Sequence, residues 1–247
     1  LGHVLISLDK KESAEPLMLF AAAQFPEDLN TLLTTSRLVL DRVESASEID
    51  PNERLDQIEN ILLKADAEDP QHSQIKLHLA DLARLRGNHQ KAFDAYTQLS
   101  KGGENEKQMA DWRLNYGLGQ AAMGLGNQDV GLAALQAALS AQPSNLIVRH
   151  ALADAMHASD LPGKADALAL SSLKIAPQDL NNILWYAKFK TKTNQPTEAV
   201  RALKAALQIN PQQIELKLWL ARTLISAGSM EEAHQIISGF ISSAEPN

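Results

Sequence analysis

His150, Asp154 and His157 are the residues of this chain best placed to do chemistry together. Spacings of four and three put two imidazoles and a carboxylate on one face of a helix, and these are ligand types for a divalent transition metal. The same spacing also makes a polar stripe along the groove side of a helix. That second reading is adopted, and no metal or other cofactor is expected. Trp185 and Trp219 form another candidate pair, because indoles are enriched at binding hot spots. They serve equally well as packing between neighbouring elements, which is the preferred reading. Lys188, Lys190 and Lys192 alternate around their helix and read as a solvated face. His72, His78 and His89 lack a comparable grouping and read as surface or packing residues.

Other chemistries fail on composition. The chain has no Cys, so disulfides, thiolate metal sites and a cysteine nucleophile are absent. It holds no glycine-rich phosphate loop, no Gly-x-Ser-x-Gly elbow and no His-Glu-x-x-His. No enzymatic activity is expected. The 36 Ala and 38 Leu make about 30% of 247 residues, against 6 Val and 4% aromatics, which favours helix and disfavours a large sheet. The longest apolar run, residues 17–23, has seven residues, far short of the roughly 20 that a membrane span needs.

What must position these side chains is a repeat of 34 residues. Pro143, Pro177 and Pro211 recur at that interval, as do Ala165, Ala199 and Ala233. Ala153, Ala187 and Ala221 repeat it again, and Trp185 and Trp219 share it. Four series with one period mark a repeat architecture. In register, the blocks are 73–106, 112–145, 146–179, 180–213 and 214–247, with 107–111 an insertion. Each block reads as two helices. The first carries apolar residues at block positions 3, 7, 8 and 11, as in Leu216, Leu220, Ala221 and Leu224. A turn follows at position 15 with Gly87, Gly126, Asn194 and Gly228, residues that tolerate the left-handed conformation. Small residues at positions 8 and 20 are expected where the two helices cross, and proline at position 32 ends the second helix.

Residues 1–28 fit a partial repeat and 29–72 a long divergent one of 44 residues, its extra length around 45–52. Both this stretch and the insertion near Gly102, Gly103, Glu104 and Asn105 read as solvated loops. All blocks are expected to form one solenoid domain. The opening Leu-Gly-His, without Met, is expected of a chain that starts inside a longer protein.

The sequence resembles the tetratricopeptide-repeat (TPR) family. Block 112–145 carries the pattern as Leu118, Gly119, Ala122, Gly126, Gly131, Leu135, Ala138 and Pro143; block 73–106 carries it as Leu79, Ala80, Ala83, Gly87, Ala92, Tyr96 and Leu99. The family's aromatic at position 4 is missing, replaced by Lys76, Asn115, Arg149, Ile183 and Lys217. The resemblance implies an all-α fold, an α-solenoid in which hairpins stack into a right-handed superhelix. It also implies a concave groove built from positions 2, 5, 9 and 12 of each first helix. Carried over by position, the groove residues include Leu77, Asp81 and Arg84, then Arg113, Tyr116, Gln120 and Met123. His150, Asp154 and His157 follow, then Leu184 and Lys188, and finally Leu218, Arg222 and Ile225. Leu, Tyr, Met and Ile at such positions suit an apolar or amphipathic segment flanked by charges that set its direction. The family's clamp for a C-terminal carboxylate, Lys and Asn at positions 5 and 9, is not present.

The expected function is a protein-interaction scaffold or adaptor, holding a peptide or partner protein in the groove. General likeness to Ala/Leu/Gln-rich bacterial arrays places it in a larger bacterial assembly or biogenesis factor, in cytoplasm or periplasm. Two alternatives stand beside it: a regulatory or substrate-recruiting domain of a larger enzyme, and a scaffold that self-associates through uncapped ends, where Phe240 and Ile241 would be partly exposed. Residues 1–72 carry a balance of −9, while residues 180–213 carry +4, within a net charge of −7. Nucleic acid is not an expected partner, because phosphate contacts need a basic surface.

Overall fold

A computed structural model describes residues 1–8, 10–45, 52–101 and 111–244. The expected loops around 45–52, 102–105 and 107–111 fall largely outside the described residues, as do the side chains of Phe240 and Ile241. Among the described residues all regular structure is helical. The chain divides into two compact units, Leu1–Ala141 and Gln142–Asn247.

The first unit holds α1 (Gly2–Ser7), α2 (Lys11–Gln24), α3 (Leu29–Ser45), α4 (Asn52–Glu68), α5 (Ser73–Leu85), α6 (His89–Lys101), α7 (Trp112–Gly124) and α8 (Gln128–Ala141). The second holds α9 (Leu146–Ala158), α10 (Pro162–Ile175), α11 (Leu180–Lys192), α12 (Pro196–Ile209), α13 (Ile214–Ser226) and α14 (Met230–Ala244). Within each unit, consecutive helices pack as antiparallel hairpins. The first helices of successive hairpins also lie side by side: α3 with α5, α5 with α7, α9 with α11 and α11 with α13. This is the layering of an all-α solenoid of repeats.

Local chemistry sets where the helices start and stop. Asp111, Asn145 and Asp179 cap three first helices, their side chains accepting from the backbone N–H of Arg113, of Ile147 and Val148, and of Asn182. Pro162 and Pro196 occupy the first turn of second helices, where a missing N–H costs nothing. At the hairpin turns Gly87, Gly126, Asp160, Asn194 and Gly228 all take positive φ, from 57° to 79°. The next residue then donates its N–H to a carbonyl five residues back: Asn88 to Ala83, Asn127 to Ala122, Leu161 to Met156, Gln195 to Lys190 and Ser229 to Leu224, at 2.7–2.9 Å. These bonds satisfy carbonyls that the ending helix leaves open. Asp160 is a turn residue that a search for Gly or Asn overlooks, although Asp also tolerates this conformation.

Small residues let the paired helices touch. Ala153, Ala165, Ala187 and Ala199 are fully buried. A Cβ added to Gly119 would stand 2.6 Å from Leu135 Cγ and 3.0 Å from the Gly131 carbonyl oxygen, so α7 and α8 approach as only glycine permits. Leucines complete each core. Leu203 and Leu216, at 0% and 1% exposure, pack with Leu220 and Leu224 in the second unit, each burial contributing on the order of 2 kcal/mol. In the first unit Leu40, Leu55, Ile58 and Leu62 form the corresponding core between α3 and α4.

Candidate partner-binding face

The first helices of unit Leu1–Ala141 meet through a buried polar network. Asp81 of α5 accepts from Arg37 of α3 and from the Tyr96 hydroxyl of α6, each at 2.6 Å. Arg84, one turn further along α5, pairs with Glu44 of α3 at 2.8 Å and lies 5.3 Å from the centroid of the Tyr116 ring. The Tyr116 hydroxyl donates to Glu44 at 2.8 Å and accepts from the Gln120 amide at 3.1 Å. Burial works against the charge of Arg84, but Glu44, Tyr96, Asp81 and Tyr116 together outweigh that cost and hold the guanidinium firmly protonated. Burial, reinforced by Glu44, pushes the Tyr116 phenol up; burial, reinforced by Asp81, does the same to Tyr96. Each side chain thus has its partners, and the network ties α3, α5, α6 and α7 together.

The groove residues expected in this unit are therefore largely occupied. Leu77 and Tyr116 are buried, and Asp81 and Arg84 are paired inside. Met123 is half-buried, its side chain filling the space beside Gly131. Arg113 stacks over Trp112, with its guanidinium carbon 4.7 Å from the ring centroid. Together with Arg37, Asp41, Gln74, Leu77 and His78, Arg113 lines a cavity of about 350 Å³. His78 bonds Ser36 of α3 through Nδ1 at 2.7 Å, and burial lowers its pKa to about 4, helped by the nearby Arg37 and Arg113 charges. Arg37, Glu44 and Ser36 were not expected here. Their signal was the spacing of Arg37, Asp41 and Glu44 along one face of a helix, read only as part of a divergent block.

In unit Gln142–Asn247 the histidines and carboxylate of α9 serve packing. His150 stacks on Trp185 of α11 with ring centroids 3.8 Å apart and planes 8° from parallel. Its Nε2 lies 2.8 Å from Asn182 Oδ1, while the Asn182 amide nitrogen donates to the carbonyls of Ser172 and Ala176. With the amide so oriented, Nε2 carries the proton. Burial lowers the His150 pKa against the opposing pull of Asn182, which keeps the ring neutral. His157 meets Phe189 edge-on at 6.0 Å, and Asp154 accepts from the Trp185 indole N–H at 3.2 Å and pairs with Lys192 at 3.5 Å. His150 and Asp154 thus both engage Trp185 and His157 engages Phe189, and among the described residues no group of three His, Asp or Glu is arranged to hold a metal. Trp185 also stacks on Phe189, at 5.2 Å.

The lysines of α11 do not share one environment. Lys190 is buried, where its ammonium bonds Asp166 at 2.8 Å and Gln195 at 2.9 Å, so it is not part of a solvated face. Burial works against the Asp166 carboxylate, but the bonds from Lys190 and Gln195 outweigh it and hold this carboxyl below the usual range. Leu184 is buried, at 4% exposure, among Ile183, Leu216 and Leu220.

The expected groove residues that remain open to solvent gather on α11 and α13. Leu218 is 54% and Ile225 45% exposed, and Lys188 and Arg222 are exposed with them. Both cations approach the ring of half-buried Trp219: Lys188 Nζ is 4.7 Å and Arg222 Cζ 4.9 Å from its centroid.

Models of the tetratricopeptide repeat match residues 113–145 and 190–240. No curated protein matches the chain in sequence. Among solved structures, a tetratricopeptide-repeat protein from Parabacteroides merdae superposes with a TM-score of 0.57 at 17% identity, covering 91% of this chain and 82% of its own. TTC0263, a thermophilic TPR protein of Thermus thermophilus, gives 0.59 at 16% identity, covering 77% of this chain and 99% of its own. MamA from Desulfovibrio magneticus gives 0.51 at 13% identity, over 70% of this chain and 97% of its own. At these identities the likeness speaks for the fold. Helical hairpins with left-handed turn residues and small residues at the crossings give the chain the fold of tetratricopeptide-repeat proteins, and residues 113–145 and 190–240 match the repeat itself.

Proposed function

We propose that this protein is a non-catalytic interaction scaffold that holds a segment of a partner protein against the first helices of its second unit, α11 and α13, as part of a larger bacterial assembly or biogenesis factor. The observation that carries this reading is the contrast between equivalent groove positions. Leu77, Tyr116 and Leu184 are covered by the chain's own helices, whereas Leu218 is 54% exposed, with Ile225 and a cation-flanked Trp219 beside it. Exposed apolar groups next to an indole and rimmed by charge are what a partner interface requires. The repeat family is a general protein-interaction architecture, which supports a protein-binding role, and no helix among the described residues is long and apolar enough to cross a membrane.

The test is affinity capture from the native host with Leu218→Glu against the unsubstituted protein, followed by mass spectrometry. Because Leu218 is exposed, the variant should keep its helical content. Loss of a defined partner with unchanged circular dichroism is the expected outcome. A full set of partners retained by the variant would move the interaction to another surface and refute the proposal.

A further inference from the structure

We infer that the partner segment held by α11 and α13 is acidic and amphipathic, with Asp or Glu flanked by large aliphatic or aromatic residues; this rests on the proposed partner-binding face. On α13 the exposed residues Ile214, Leu218, Arg222 and Ile225 follow one another at spacings of four, four and three, so they form a single stripe. At its middle, Arg222 and Lys188 of α11 approach the ring of Trp219, Arg222 at 4.9 Å and Lys188 at 4.7 Å.

What these two cations lack points to the ligand. Lys190 pairs with Asp166, Lys192 with Asp154, Arg201 with Glu198 and Lys204 with Glu232. Lys188 and Arg222 form no ion pair with a carboxylate among the described residues; their contact is the indole face. A cation–π contact orients an ammonium or guanidinium without neutralising it and leaves N–H donors free. Two positioned, unpaired cations with donors to spare match carboxylates, which a guanidinium can bind through two parallel bonds. Leu218 and Ile225 on either side of Arg222 ask for apolar side chains flanking the acid. Glu215, exposed at the far end of the stripe, disfavours a second acid there and fixes the direction of the segment. Phosphate-rich partners fit less well: two cations within an acidic chain release few counterions, and the aliphatic stripe offers nothing to a sugar–phosphate backbone. An anionic membrane would need a broader basic patch.

The experiment selects peptides from a random phage-displayed library on the full-length protein and measures the consensus peptide, fluorescein-labelled, by anisotropy. Selected peptides should be enriched in Asp or Glu next to Leu, Ile or Phe. Lys188→Glu/Arg222→Glu should weaken the peptide at least tenfold, whereas Lys164→Glu/Lys174→Glu, an equal charge change at exposed residues of α10, should leave it within twofold. Leu218→Glu should also abolish binding. A basic or uncharged consensus that depends on Leu218 but not on the two cations overturns the acidic assignment and leaves the binding face standing. Peptides indifferent to Leu218, or no selected peptide at all, overturn both. Binding of phosphatidylserine vesicles or oligo(dT) that requires Lys188 and Arg222, with no acidic peptide enriched, assigns the cations to phosphate and also overturns the inference.

Discussion

His78 offers the sharpest quantitative test of the packing in unit Leu1–Ala141. The residue is 7% exposed and its ring is bonded to Ser36, with Arg37 of α3 and Arg113 of α7 opposing its protonation and Asp81 of its own helix favouring it. Desolvation dominates, and the folded ring titrates at about 4 rather than 6.5. Because the folded pKa is depressed, the unfolded chain binds the extra proton between these values. The stabilisation from a neutral His78 is complete above pH 6.5 and is lost progressively as pH falls toward 4. From 6.5 down to pH 5 the loss is about 2 kcal/mol, at about 1.4 kcal/mol for each pH unit. His78→Asn keeps a donor and an acceptor near Ser36 but cannot titrate. Guanidinium unfolding at pH 7.5 and pH 5, followed by circular dichroism, should show the unsubstituted protein losing about 2 kcal/mol more than the variant over that interval. Carboxylates common to both cancel in the comparison, as does any constant cost of the substitution. Equal losses would refute the reasoning, and so would an NMR titration of the His78 ring centred near 6.5.

Two further substitutions test the helix crossings. Ala199→Leu should destabilise the chain by roughly 1–3 kcal/mol, because Ala199 is fully buried where α11 and α12 cross. Ala205→Leu, on the exposed side of α12, should change the melting temperature little, and equal melting temperatures would place the crossing elsewhere. Gly117→Ala would set its Cβ against the Tyr96 phenol, which is fully buried and donates to Asp81. A loss on the order of 2 kcal/mol is expected; Gly117→Ala combined with Tyr96→Phe should still be destabilised, since the ring remains, and full recovery there would assign the clash to the hydroxyl alone.

The hairpin architecture is legible in the order of residues, because the features that build a hairpin are local. A residue at block position 15 that tolerates positive φ, the Asp or Asn caps of three first helices, and small residues at the crossings each act within a few residues of themselves. Repeated at one interval, they make the period visible without any knowledge of packing.

Which face of each first helix meets solvent depends instead on the packing of helices distant in sequence. Leu184 and Leu218 occupy the same position in successive blocks, yet one is 4% and the other 54% exposed. Leu184 is covered by Leu216 and Leu220 of α13, while among the described residues no further first helix lies over Leu218. Lys188 and Lys190, two residues apart, end respectively over the half-buried indole of Trp219 and inside an ion pair, because α11 has different neighbours on its two sides. The pairing of Arg37 with Asp81 across 44 residues, and of Tyr116 with Glu44 across 72, likewise depends on the side-by-side packing of first helices. Periodicity fixes a residue's angle around its own helix, but burial is a property of what lies opposite. That is why the hairpins were legible in the sequence, and why the open face on α11 and α13 required the fold.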